Sequence, residues 1–439
     1  MQLISRRHAP ITAFLSAILL FAAIGTSAPV YALSIPVTNC RDAGAGSLRA
    51  AVASAASGDI VDLSLRHCTI LLTSGEIVAP QADLRLIGSG ADTLTITSNM
   101  QSRVLNHSGT GTLSVERVSI IDSASIQPFY AYAGCIASSG SVELHHARLR
   151  HCIAEGVPDP DCGGTGSCYG SDAGALGASG DVLLSYSTIS DSQASAYYSG
   201  GGGIYSGGWV TLYRNRLLRN GADVGSAAIA ANGFTAVESL VADNGGYDGG
   251  AVHVGGAYNR AYGPADIRNS TFTGNSSGTC LALCVGYARI VNSTFSNNHG
   301  DFSAISATRG ANVFNSTIAY NHTCGGGIDS DGTLRLESTI IAGNTCGSMP
   351  MDLYYAGSVT GSHNLVVASP LQLPADTLRS DPRLAPLALN GSFPPTNALG
   401  ADSPAINRGS NVLGWRYDQR GPGFPRTKDG YTDIGAFER

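Results

Sequence analysis

The sequence predicts an all-β chain wound as a single-stranded right-handed parallel β-helix. Each coil would carry three short strands, with a short capping helix at the N-terminus and an irregular tail at the C-terminus. Three observations lead there. Glycine supplies 56 of 439 residues, against an average usage of about 7%. The apolar runs are short, alternate at period two and are punctuated by Gly, Ser, Thr and Asn, which is the signal of strands joined by tight turns. Asn-Ser-Thr begins at Asn269, Asn292 and Asn315, each 23 residues after the last. A fixed step of that size marks stacked repeats.

Taken in chain order, the first segment reads as an export signal. Arg6 and Arg7 precede "ITAFLSAILLFAAIG", and Val30 and Ala32 place small residues at the -3 and -1 positions. Cleavage is expected after Ala32. The apolar stretch has 15 residues, short of the ~20 that span a bilayer. Residues 1–32 are therefore expected to be removed, leaving a β-helix over 33–370 and a covering segment over 371–439. No second apolar segment of spanning length follows, so the mature chain is expected to lack a transmembrane segment.

"AGAGSLRAAVASAASGD" reads as the capping helix. Ser47 is a suitable N-cap, and Leu48, Ala51, Val52 and Ala55 share one face. Such a face can plug the open end of a solenoid, whose first coil would otherwise leave an unpaired edge. "DIVDLS", "TILLTS", "EIVA", "LRLIGSG" and "LTITS" read as the first coils.

Further on, the repeat becomes regular. A second asparagine follows each triplet by six residues, at Asn275, Asn298 and Asn321, and the column continues at Asn344, Asn244 and Asn220. Its steps are 24, 31, 23, 23 and 23, the long one containing the insertion "AYNRAYG". Three strands in about 23 residues cannot fold back as hairpins and keep every unit alike. They can wind as one coil, each strand pairing with its counterpart on the next coil at ~4.8 Å. The inward positions would be Ile136, Ile204, Ile229, Val252, Ile305 and Ile328 on the first strands. On the second they would be Val210, Leu212, Ile267, Ile290, Val313 and Leu336.

Asn-X-Ser/Thr is also the glycosylation acceptor pattern. In a β-helix, however, bends need left-handed backbone, which Gly and Asn tolerate best, and stacked Asn side chains can hydrogen-bond along the column. Both asparagine columns are expected to be such ladders at packed corners, where a glycan is sterically excluded: Asn220, Asn244, Asn275, Asn298, Asn321 and Asn344, and beside them Asn269, Asn292 and Asn315.

All ten cysteines lie after Ala32, which suggests disulfides in an exported chain. Cys324 and Cys346 fall at nearly the same angular position on adjacent coils, within disulfide reach. Cys40 and Cys68 could join cap to first coil, and Cys280 and Cys284 could pair locally. Cys135, Cys152, Cys162 and Cys168 allow three pairings. No metal site is expected. The net charge of -6 and the 13% charged content exclude a nucleic-acid partner, which needs a basic footprint. A monomer is expected.

Several segments resemble known families. "GGAV" at Gly249 and "GGGI" at Gly325, with "FTGN" at Phe272 and "FSNN" at Phe295, resemble the repeats of chlamydial polymorphic outer-membrane proteins. "NCRDAGAGSLRAAVASAASGD" resembles the N-terminal cap of bacterial secreted parallel β-helix proteins. Ser403–Glu438 resembles the C-terminal signature of choice-of-anchor Q proteins. The resemblance implies an exported, often surface-associated right-handed β-helix with adhesive or glycan-related roles. The polymorphic proteins carry a translocator barrel without a counterpart in this sequence, so autotransport is not expected.

Parallel β-helices also host polysaccharide lyases and hydrolases, whose chemistry needs paired carboxylates or a base with a cation. Here the outward position beside the inward Ile/Val reads Ala137, Tyr205, Ala230, His253, Ser306 and Asp329, with Asp248 and Asp331 nearby. Tyr205, His253, Asp248, Asp329 and Asp331 form a candidate ligand-binding strip. His253 and Asp329 are expected three coils apart, ~14 Å, too far for a direct pair. Asp329 and Asp331 could hold a weakly bound calcium ion; no other cofactor is expected. Tyr130, Tyr132, Tyr169, Tyr197, Tyr198, Tyr258 and Tyr262 come from loops and could stack on sugars. The expected function is an exported binding solenoid, adhesin-like or glycan-binding, whose partner is an extracellular glycan or surface protein. The alternatives are a polysaccharide lyase or glycosidase, and a structural envelope component.

Overall fold

The computed structural model describes residues 32–158, 169–247, 249–255 and 263–439. The export segment, Cys162, Cys168, Asp248, Tyr258 and Tyr262 lie outside the described residues. The described chain is a parallel β-helix of about twelve turns with one α-helix. Among the described residues no helix is long and apolar enough to cross a membrane.

Alternation sets the core. Ile136, Leu176, Ile204, Ile229, Val252, Leu283, Ile305 and Ile328 are successive register partners on the first strands. All are fully buried. Leu212, Ala236, Ile267, Ile290, Val313 and Leu336 form a matching column on the second strands; Val210 lies in the column beside it, between Val182 and Phe234. Leu217, Val241, Phe272, Phe295, Ile318 and Ile341 close the third side. The rings of Phe272 and Phe295 stack at 4.6 Å. A two-residue fourth strand, such as Gly221–Ala222 or Gly245–Gly246, follows the third in the regular coils.

The helix Leu48–Ser54 starts at Ser47, whose Oγ accepts from Ala50 N at 3.2 Å. It buries Leu48, Ala51 and Val52 against the first coil. Gln81 Nε2 donates to the C-terminal carbonyls of Val52 and Ala55, both at 2.8 Å, which satisfies acceptors that a helix end otherwise leaves orphaned.

The inner asparagines form a continuous ladder. Nδ2 of Asn220, Asn244, Asn275, Asn298 and Asn321 donates to Oδ1 of the next at 3.0, 2.9, 2.9, 2.8 and 2.7 Å. The same Oδ1 atoms accept the backbone N–H of the preceding rung, and the second amide hydrogen reaches a backbone carbonyl, as from Asn298 to Phe272 O at 3.1 Å. Asp352 ends the ladder by accepting both N and Nδ2 of Asn344.

The outer triplet departs from the expected ladder. Asn269, Asn292 and Asn315 have φ of 50°, 46° and 45°. They are the left-handed residues of the corner, and their side chains leave the stack. Asn292 Nδ2 donates to Tyr417 O at 3.1 Å and Asn315 Nδ2 to Ser410 O at 2.9 Å, both in the C-terminal tail. The ladder at this corner belongs to the following residue: backbone N of Ser239, Ser270 and Ser293 donates to Oγ of Ser270, Ser293 and Ser316 at 3.1, 3.2 and 3.2 Å. The threonines also face the tail, Thr271 Oγ1 donating to Pro395 O and Thr294 Oγ1 to Gln419 Oε1, each at 2.6 Å. Both corners therefore use one device, a left-handed residue followed by a ladder residue. At the other corner the left-handed residue is Arg219, Asp243, Gly274, Asn297, Tyr320 or Gly343, just before each ladder asparagine.

The tail lies over these corners. Its strands Leu384–Ala388 and Thr396–Leu399 pair antiparallel. Ile434 and Ala405 pack with Ala319, Ile340 and Leu365 of the coils. Within it, fully buried Arg426 pairs with Glu438 at 2.8 Å, and the Arg420 guanidinium sits 3.9 and 3.8 Å from the Phe424 and Phe437 ring centres. Asp433 and Glu438 are structural here: Asp433 Oδ1 accepts Asn407 N, and Glu438 Oε2 accepts Asp433 N. Disulfides join Cys40–Cys68, Cys135–Cys152, Cys280–Cys284 and Cys324–Cys346, with Cα separations of 6.0, 5.4, 5.9 and 4.4 Å.

Asn298→Ala should cost about 2–4 kcal/mol, because it unpairs buried groups on two neighbouring rungs. Asn292→Gly, which loses one bond to the tail but keeps the left-handed turn, should cost about 1 kcal/mol. Denaturant midpoints compare them directly; equal effects would refute the division between ladder and corner residues.

Candidate functional site

The outward face of the first strands carries one straight column. Ala137, Gly177, Tyr205, Ala230, His253, Cys284, Ser306 and Asp329 are successive register partners. His253 and Asp329 stand three rungs apart, with Cys284 and Ser306 between them. The coils of Gly177 and Cys284 are less regular in sequence and lack the GGxI opening, so they escape a reading by motif.

At one end of the column is a cleft of about 260 Å³ lined by His253, Cys284, Phe302, Ser303, Ser306 and Asp329, among others. The Cys280–Cys284 disulfide forms part of its wall. Burial pushes the Asp329 carboxyl above its usual range; the nearby Ser306 and Ser303 hydroxyls oppose this. Among the described residues, Asp329 Oδ1 and Ser303 Oγ are buried and make no well-formed hydrogen bond, although the Ser303 hydroxyl lies near enough to the carboxyl to lower its pKa; Ser303 is only 1% exposed. Burial lowers the His253 pKa, favouring its neutral imidazole. Asp331 is exposed on the same strand, and its charge adds to the upward push on Asp329. Among the described residues no three His, Cys, Asp or Glu side chains converge as a metal site. Asp248 lies outside the described residues.

At the other end, a small parallel sheet of Tyr130–Tyr132, Gly170–Asp172 and Tyr198–Gly200 precedes the first strands. It sets a carboxylate among tyrosines. Tyr130 OH donates to Asp172 Oδ2. Asp172 is 4% exposed, and burial pushes its pKa up to about 6 against the lowering effect of Tyr130. Tyr132 meets Tyr205 edge-on at 6.2 Å and lies over Gly177, where a Cβ would collide with its ring. Burial also raises the Tyr132 hydroxyl, so it stays a neutral donor. Asp172 is not among the residues the sequence singled out. The signal available was a polar triplet before the coil opening in three successive coils: "YAY", "GSD" and "YSG".

Six rungs separate Gly177 from Asp329, ~29 Å at the strand spacing. Asp172 and Asp329 are therefore far beyond the ~5–9.5 Å of a glycosidase pair. The arrangement offers aromatic faces and carboxyl groups along a line, which suits hydrogen bonding and stacking.

No family model and no curated protein matches the chain. Among solved structures, the crystal structure of pectate lyase Pel9A is similar, with 13% identity, 93% of this chain and 96% of that chain covered, and a TM-score of 0.40. A likeness of this size assigns no chemistry.

Asp172 takes up a proton on folding, because its folded pKa of about 6 exceeds the ~3.9 of an unfolded Asp. The stability linked to it is present below about pH 4 and lost as pH rises through about 6, on the order of 2–3 kcal/mol. Asp172→Asn should flatten that fall. Melting temperatures at pH 4 and pH 8 check it; an unchanged pH slope would refute the assignment.

Proposed function

We propose that this chain is an exported carbohydrate-binding solenoid, adhesin-like in use, that takes a neutral glycan along the outward face of its first strands. One observation carries the reading: the Asp329 carboxyl, with the Ser303 and Ser306 hydroxyls beside it, lines a cleft at the end of a straight outward column. A carboxyl held largely out of water gains from a further donor, and a sugar hydroxyl entering the cleft would supply one. The residues lining the cleft include no Lys or Arg, so a uronate carboxylate would find no counter-charge beside Asp329. Tyr132 and Tyr205 supply ring surface at the far end of the same line.

Supporting an exported setting are the apolar segment after Arg6 and Arg7, and the four disulfides among the described residues, a bond type that persists in oxidising compartments. The likeness of "GGAV", "FTGN" and Ser403–Glu438 to polymorphic and choice-of-anchor Q proteins supports a surface role. The chain would act as a monomer on an extracellular glycan without a cofactor. Calcium at Asp329 and Asp331 would need further ligands from backbone or water.

A glycan array probed with residues 33–439 should show binding to neutral glycans. Asp329→Ala and Ser303→Ala should each weaken it about tenfold, the equivalent of ~1.4 kcal/mol. Steady release of reducing ends or unsaturated products from any bound polymer would overturn the binding reading in favour of an enzyme.

A further inference from the structure

We infer a second carbohydrate-contact surface, on the outward face of the second strands and centred on Trp209. It stands on residues separate from the Asp329 cleft. In the strand Trp209–Tyr213, Val210 and Leu212 are fully buried, so alternation turns Trp209, Thr211 and Tyr213 outward. Trp209 is 38% exposed. Its register partner on the next coil is Gly233, and a Cβ there would collide with the indole carbons. The glycine lets the ring lie down on the sheet. Trp209 Nε1 donates to Thr235 Oγ1 at 3.0 Å, and its backbone N donates to Asp181 Oδ1 at 2.7 Å. The ring is thus backed by main chain and pinned at its edge, so little rotamer freedom is left to lose on binding.

What surrounds the ring selects the ligand. Trp209 borders a cleft of about 400 Å³ whose polar lining is Thr112, Ser141, Glu143, Asp181 and Thr211, with no Lys or Arg. An aromatic face beside carboxylates and hydroxyls suits a ligand with C–H faces and donating hydroxyls, which is a neutral sugar. A second aromatic group lies four residues along the strand, ~13 Å away. There Tyr213 meets Tyr186 edge-on at 5.5 Å, and His146 stacks on Tyr186 at 4.8 Å. Tyr186, 44% exposed, sits at φ 51°, in the corner column that Asn fills where the tail covers it. A bulky residue holds that conformation at a cost of order 1 kcal/mol, where Asn would hold it more easily. The outlier and the pinned indole point to the same exposed face.

The chain has two tryptophans, so in a Trp415→Phe background emission reports Trp209 alone. Titrating that variant with soluble fragments of β-glucan, xylan, mannan and chitin should give a saturable change in emission with at least one. Glu143→Ala should weaken that response about fivefold, and Asp329→Ala should leave it intact. Emission unchanged by all four would overturn the proposal. So would a response lost in Asp329→Ala, since it would then be a secondary effect of the cleft. A response that survives while array binding proves independent of Asp329 would sustain this surface and reject the cleft reading.

Discussion

The rest of the structure depends on the hydrogen bond between equivalent residues of adjacent coils. A three-sided coil must bend, and each bend breaks the strand ladder and leaves a backbone N–H without its usual acceptor. Burying that donor unpaired would cost a few kcal/mol at every corner of every coil. The chain answers with a pair of residues. One takes a left-handed turn, and the next lends a side-chain oxygen to the backbone of the preceding rung, as Asn298 does for Asn275 and Ser293 for Ser270. Because the acceptor must sit opposite its donor, coils cannot slip relative to one another, and the columns on all three faces follow.

The two corners differ in what lies outside them. Where the tail covers the corner, the left-handed residue is Asn269, Asn292 or Asn315, small and able to bond tail carbonyls. On earlier coils the same position holds His146, Tyr186, Arg214 and Glu238. There Arg214 lies over the Tyr186 and Tyr213 rings, and it pairs with Glu238. One repeat position thus serves tail docking in one half of the solenoid and an exposed aromatic-ionic edge in the other.

This division explains what could be read from sequence and what could not. A constant step of 23 identifies stacking, and alternation identifies inward residues such as Ile305 and Ile328, because both depend only on local chain geometry. The step does not say which of three consecutive residues carries the ladder. Asn, Ser and Thr recur at the same interval, and only the sign of φ at Asn292 separates them. Asp172 and Trp209 were invisible for a related reason. Their settings depend on partners two dozen or more residues away, Tyr130 in one case and Gly233 in the other, and neither pair falls on a repeated motif.

The same lattice limits the chemistry the faces can host. Rungs lie ~4.8 Å apart and outward positions along a strand ~6.6 Å apart. A carboxylate pair at glycosidase spacing would have to occupy neighbouring rungs of one column or alternate positions of one strand. Asp329 and Asp331 do hold alternate positions of one strand, but the other acids have different neighbours: Asp266 has Thr235 and Arg289, Asp172 has Tyr132 and Gly200, and Glu337 has Phe314 and Ser362. Asp266 is tied up by Arg268 and Arg289. These last three are thus separate acceptors, each beside a hydroxyl, an aromatic ring or a cation. Such spacing offers a linear ligand repeated single contacts in place of one convergent pair.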